Sequence, residues 1–366
     1  MKIVAIVDEG GAAEAHYRAH FRRVREAAQA DGILVLMSGD VARTGSLAAR
    51  DKHARAAAML AAGAALVVET PLPAVLLGDN QYVFALAVML QKLGCVDEIA
   101  LPCTGADEAV FARTAEFLFD EPPAYQKRMR ALRATGVNLT EALPEVAGGF
   151  VDGALDFLRI PMNRMAVEFC NTLRRSYSAV KPRRIWVDDA PREEQPCAGA
   201  DRRLLERVER AFMGRPRAEA VAWASGMFSG SERTALRVLD ALSSGGDGGF
   251  QAFSRRVADA DMGDAALRRH LLACLFGYRK VDSFVCITYN YVPYIRVLGC
   301  ADGRALDALL QRAGTDVLVD SAEREDAVRL NDDYKRLLLQ MDGRARALYE
   351  ECARTRRPDG RRPVRF

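Results

Sequence analysis

Short apolar runs rich in β-branched residues recur in the first part of the chain at positions 2–7, 33–37, 65–69 and 98–101. Between them, apolar positions return with helical spacing at 16–30, 47–62 and 80–93. A fully apolar run of strand length, then an amphipathic helix, then another such run marks parallel βαβ units, because helices on both sheet faces leave the strands no solvent side. Gly63 and Gly94 stand where the second and third helices should stop, positions that favour a left-handed residue. The pattern predicts an α/β fold with a doubly wound parallel sheet and a ligand crevice at the carboxyl ends of its strands.

From residue 107 the pattern turns helical, with breaks at 121–123 and 148–149, before Arg184-Ile185-Trp186-Val187-Asp188 supplies one more strand. That strand is expected to complete a domain spanning 1–190. The stretch from 190 to 200 carries Pro191, Pro196 and several charges, as a surface connection would. Residues 201–353 read as a mainly helical carboxyl-terminal domain, interrupted by Ser243-Ser244-Gly245-Gly246-Asp247-Gly248-Gly249. The basic tail 354–366, made largely of Arg, Pro and Gly, has little to bury and is expected to be mobile.

With 366 residues, 50% of them hydrophobic, the chain can build a core in each domain without disulfide or metal staples. It has neither a basic-then-apolar leader nor an uncharged apolar run of about 18 residues, so the expectation is a soluble cytoplasmic protein with no membrane partner. The eight cysteines are scattered without a C-x-x-C pair and read as reduced core thiols. A net charge of +3 does not by itself demand a polyanion. Arginine clumps at 174–175, 181–184, 202–203, 255–256 and 268–269 offer an RNA path, but interleaved acids make solvated helix faces the simpler reading. His16 and His20 share a helix face at i, i+4 and read as a solvent-facing pair, so no metal is expected.

Several segments together resemble a known family. They are the opening strand Met1-Lys2-Ile3-Val4-Ala5-Ile6-Val7, the turn Met37-Ser38-Gly39, the pair Lys52 and Arg55, the strand end Glu69-Thr70-Pro71, and Pro161-Met162-Asn163. Further on come Pro293-Tyr294-Ile295-Arg296-Val297-Leu298-Gly299 and the helix-like run from Gln340 to Tyr349. Together they resemble the tRNA(Met) cytidine acetate ligases, of the HIGH-motif nucleotidyltransferase superfamily. The resemblance implies a Rossmann-like nucleotidyltransferase domain, ATP as co-substrate, an acetyl-adenylate intermediate and tRNA as acyl acceptor.

The same alignment exposes a departure. In the family the loop after the first strand carries an H-x-G-H motif whose imidazoles meet the ATP phosphates. Here those two positions fall on Glu14 and Tyr17, and a one-residue slide that rescues His16 leaves Ala13 in the other place. The resemblance nominates Glu9, Gly10, Gly11, Glu14 and Tyr17 as the nucleotide loop, Lys52 and Arg55 as phosphate-facing cations, and Asn163 as a base or ribose contact. The plain alternatives are a salt bridge or solvated face for Lys52 and Arg55 and a helix cap for Asn163. The family's Phe-Gly-Ser-Glu turn is replaced by Leu101-Pro102-Cys103-Thr104-Gly105, and its Ser-x-Thr-x-Ile-Arg signature by Leu204-Leu205-Glu206-Arg207-Val208-Glu209. A divergent relative with a degraded ATP site is implied, serving as a binding or scaffolding subunit for a protein or for tRNA. The alternative is an active ATP-dependent ligase or nucleotidyltransferase with a rebuilt site.

Overall fold

The computed structural model describes residues 1–8, 14–105, 107–135, 139–187, 199–245, 249–257, 262–319, 333–353 and 364–365. Eight strands form one sheet: β1 (Ile3–Asp8), β2 (Gly32–Ser38), β3 (Leu66–Thr70), β4 (Glu98–Cys103), β5 (Lys181–Trp186), β6 (Tyr294–Cys300), β7 (Asp316–Leu318) and β8 (Val364–Arg365). Their order is β5-β4-β1-β2-β3-β6-β7, with β8 beside β6. Every pairing is parallel except that of β3 with β6, which is antiparallel. Every residue of β2 and of β3 is buried. Both faces of these strands are covered, which is why they lack polar alternation.

On one face lie α1 (Glu14–Ala28) and α2 (Lys52–Ala61), whose Tyr17, Phe21, Val24, Met59 and Leu60 pack on Val4, Ile6, Val35 and Met37. On the other face the helices Asp79–Leu93 and Pro161–Arg175 cover Ala5, Leu34, Leu36, Leu66 and Val68. The five expected strands of the first half are all present, each within three residues of its expected start. Helix α2 starts at Lys52, later than the apolar pattern suggests, because the Asp51 carboxylate accepts hydrogen bonds from the backbone amides of His53 and Ala54 and fixes the helix start there. Gly94 ends the Asp79–Leu93 helix at φ +65°, and a Cβ there would sit 2.3 Å from the Arg312 carbonyl oxygen. Only glycine satisfies both the backbone angle and the contact.

Past residue 199 the helices Ala200–Met213, Arg217–Ser225, Glu232–Ser243, Gly249–Val257 and Asp264–Phe276 enclose their own core around Val208, Phe212, Val238, Phe250, Phe253 and Leu271. The chain then re-enters the sheet. β6 pairs with β3, and the long helix Asp333–Ala353 packs through Leu338, Met341, Ala345, Leu348 and Tyr349 against Leu72, Val75 and Tyr294. The carboxyl-terminal half is therefore mainly helical, as expected, and also supplies the strands that extend the sheet beyond β3. The expected connection near 190–200 falls mostly outside the described residues, as do 354–363 and 366 of the tail. The seven described cysteines are free, and no described helix is long and apolar enough to cross a membrane.

Candidate functional site

The order of strands reverses between β1 and β4, so the crevice expected of a doubly wound sheet opens at the end of β1, at Asp8, and the end of β4, at Cys103 and Thr104. Glu9, Gly10 and Gly11 lie outside the described residues. Glu14 begins α1, exposed and ion-paired with Arg18 one turn on. Tyr17 is fully buried among Ile6, Met37 and Phe21, and its hydroxyl donates to Asp8 Oδ1 at 3.4 Å. The amino end of this helix thus presents a carboxylate at the rim and a phenol beneath it, where free amides and the helix dipole would otherwise favour an anion.

Asn163 stands in the first turn of the Pro161–Arg175 helix and is also fully buried. It is not the helix cap. Its Oδ1 accepts from the Thr104 backbone amide at 2.9 Å, while its Nδ2 donates to the carbonyls of Thr104 at 3.0 Å and Phe157 at 3.2 Å. The side chain thereby fixes the loop after β4 at the edge of the crevice.

Lys52 and Arg55 go elsewhere, into a buried ionic cluster at the ends of β2 and β3. Lys52 Nζ donates to both Glu69 oxygens at 2.8 and 2.9 Å and lies 3.7 Å from Asp40. The Arg55 guanidinium, fully buried, donates to the carbonyls of Arg50 at 3.0 Å, Ser38 at 3.1 Å and Gly39. Arg296, which faces Glu69 across the antiparallel β3–β6 pair, reaches Glu69 at 3.4 Å and Asp342 at 3.1 Å. The Tyr294 hydroxyl donates to Asp342 as well. Arg346, one turn beyond Asp342, contacts Asp40 at 3.0 Å, Asp51 at 2.6 Å and Glu350 at 2.7 Å. Gly39 is required here, because a Cβ at that position would sit 2.0 Å from Glu69 Oε1.

Burial pushes the Glu69 carboxyl up, but Lys52 and Arg296 outweigh it and hold the group below the usual range. Burial likewise lowers Lys52, yet Glu69 and Asp40 leave it raised overall. Asp342 ends up above the ordinary carboxylate range: burial raises it, and the pull of Arg296 is countered by the neighbouring Glu69 charge. Three cations, Lys52, Arg296 and Arg346, pair with the carboxylates of Asp40, Asp51, Glu69 and Asp342, while the Arg55 guanidinium donates to backbone carbonyls beside them.

The structure brings Asp8 to Tyr17 and Thr104 to Asn163, and places Lys52 and Arg55 in a different constellation at β2 and β3. Sequence reasoning missed Asp40, Asp342 and Arg346. Asp342 and Arg346 at i, i+4 on one helix face were the available signal. The arginine clumps are largely neutralised: Arg174 by Glu116 at 2.7 Å, Arg175 by Glu121 at 3.2 Å, Arg202 by Glu206 at 3.2 Å, Arg268 by Asp201 at 2.5 Å, Arg183 by Glu98 and Arg184 by Glu108. The rings of His16 and His20 stack at 6.4 Å. Burial, then the charges of His16 and Arg23, lower His20 to about 4. Among the described residues there is no group of three or more His, Cys, Asp or Glu placed to hold a metal.

A HIGH nucleotidyl transferase family model matches residues 1–197. The tRNA(Met) cytidine acetate ligases of Clostridium perfringens and Clostridium acetobutylicum are 25% and 27% identical over 191 and 194 residues, in each case 50% of this chain and 48% of the relative. That of Syntrophotalea carbinolica is 28% identical over 184 residues, 50% of this chain and 44% of the relative. The chain thus spans about half the length of the curated relatives it matches. The crystal structure of Thermotoga maritima TmcAL bound with alpha-thio ATP superposes with a TM-score of 0.81 at 19% identity, over 100% of both chains, and the apo form does so at 0.80 and 18%. The fold is shared throughout.

Proposed function

The chain belongs to the HIGH nucleotidyl transferase family, and from that premise we infer that it is a relative of the tRNA(Met) cytidine acetate ligases whose triphosphate site has decayed. In this reading it works as a binding or scaffolding subunit. The observation that carries the reading is the pair Glu14 and Tyr17: a rim carboxylate and a buried phenol bound to Asp8, at the two positions that the family resemblance assigns to phosphate-binding imidazoles. Each preorganised donor to developing phosphate charge is worth about 3 kcal/mol, so losing two slows the reaction about 10⁴-fold. Lys52 and Arg55 do not offset the loss, since Lys52 is paired with Glu69 and Asp40 and the buried Arg55 guanidinium is bonded to three backbone carbonyls.

A protein partner is favoured over tRNA, because Arg174, Arg175, Arg183, Arg184 and Arg268, in three of the five arginine clumps that would track a phosphate backbone, are held in ion pairs with Glu or Asp. One observation supports the alternative of an active ATP-dependent ligase with a rebuilt site: Asn163 keeps the loop after β4 fixed at the crevice. Calorimetric titration with ATP and a nonhydrolysable analogue separates the two. The expected result is no binding heat at millimolar nucleotide, and a saturable isotherm refutes the decayed-site reading. A gel shift with total tRNA at about 50 mM salt checks the partner class, with no shift expected.

A further inference from the structure

We propose that the helix Lys280–Thr288 is a docking element that inserts its apolar face into a concave groove of a different protein, one with a carboxylate on the groove's rim. The inference rests on the reading of this chain as a binding subunit and names the surface that would serve it. Val281, Phe284 and Ile287 are 54%, 69% and 48% exposed. Among the described residues they are the only large exposed apolar side chains that fall together on one helix face. At 100° per residue, positions 287, 280, 284, 288 and 281 follow one another around an arc of about 120°, the layout of a helix that anchors in a groove.

Both ends of the helix are fixed. At the amino end the Asp282 carboxylate accepts from the Arg279 backbone amide at 2.9 Å and from its guanidinium at 2.8 Å. At the carboxyl end Asn290 and Tyr291 adopt φ of +49° and +63°, a region that side chains other than glycine enter at a cost. Lys92 Nζ secures that turn by donating to the carbonyls of Tyr289 at 2.9 Å and Val292 at 2.6 Å.

Charge and area choose the occupant. Lys280 is the one charged residue on the arc, and the nearby Asp282 is buried and taken by Arg279. The same face of a second copy, packed across a two-fold axis, would therefore bring another lysine and no carboxylate to meet it. The three side chains expose roughly 300 Å², well short of the about 800 Å² per partner that a standard interface needs, so the face suits an anchor helix within a partner's groove better than a self-sufficient dimer contact.

The test is photocrosslinking of the full chain in the cells that make it, with benzoylphenylalanine at Phe284 and, as control, at Phe84 on another helix. The expected result is a discrete adduct from position 284 only, whose crosslinked peptide maps to an apolar groove bearing Asp or Glu. Lys280→Glu should lower its yield about tenfold through like-charge repulsion, while the melting temperature is unchanged. An adduct with a second copy of this chain, an adduct with RNA, equal labelling from both positions, or a yield indifferent to Lys280→Glu overturns the proposal. Failure here with a silent ATP titration leaves the decayed-site reading intact, whereas an adduct together with ATP binding removes that reading and keeps the docking helix.

Discussion

Replacing Lys52 with methionine tests the buried ionic cluster directly. The substitution keeps the length of the side chain and removes the cation that donates to Glu69 at 2.8 and 2.9 Å, leaving that carboxylate to Arg296 at 3.4 Å. Removing one partner of a buried pair costs about 3 to 5 kcal/mol, because the other charge stays desolvated. The remaining Arg296 contact places the expected loss near the lower end, about 3 kcal/mol. Urea unfolding followed by the fluorescence of Trp186 in β5, with Trp223→Phe to isolate the signal, measures it. The pH dependence adds a second readout. In the native protein the Glu69 value is depressed, so its contribution is present above the ordinary value of 4.5 and is lost as pH falls through the folded value. In the variant, burial without Lys52 raises the carboxyl, which takes up a proton on acidification and escapes the penalty. The gap between variant and native protein should therefore narrow from pH 7 to pH 4.5. The double variant with Glu69→Gln should recover much of the loss. A cost below about 1 kcal/mol, as for an exposed pair, or a gap that stays constant with pH refutes the account.

Other substitutions probe separate contacts. Gly39→Ala forces a Cβ to within 2.0 Å of Glu69 Oε1 and should lower stability by about 2 kcal/mol or more, read as a fall in urea midpoint. Asn163→Ala strips the Thr104 amide and carbonyl of their partner inside the protein, so about 2 kcal/mol should be lost, with faster amide exchange at Thr104 than at buried strand positions. The Arg183 hydrogen bond, with help from Lys2, holds Glu98 at about 2, so its contribution should fade as pH drops from 4.5 toward 2. Glu98→Gln should flatten the melting temperature across that window, and an unchanged acid limb would count against the assignment.

The parallel core was legible because strands buried on both faces must be unbroken apolar runs, as β2 and β3 are. The spacing of Lys52 and Arg55 revealed that they share a helix face, but not that the face turns inward onto Glu69. That partner lies 17 residues on, and only the packing of α2 over β3 brings it close. The place of β6 was hidden for a similar reason. Tyr294 to Leu298 is a plausible strand by composition, yet local pattern cannot tell that it pairs antiparallel with a strand more than 200 residues earlier. Asn163 and Tyr17 were picked out as nucleotide contacts by family resemblance, and their bonds to Thr104 and Asp8 are tertiary facts that no spacing encodes.

The antiparallel partner of β3 also has a consequence for synthesis. β3 ends at Thr70 and β6 begins at Tyr294, so the ribosome must add the intervening stretch before the open side of β3 can be covered. At the usual 5–20 residues per second this takes roughly 10 to 45 s, during which an apolar strand edge is available to other nascent chains. A fragment stopped near residue 190 would keep that edge for good, and should aggregate where the full chain does not.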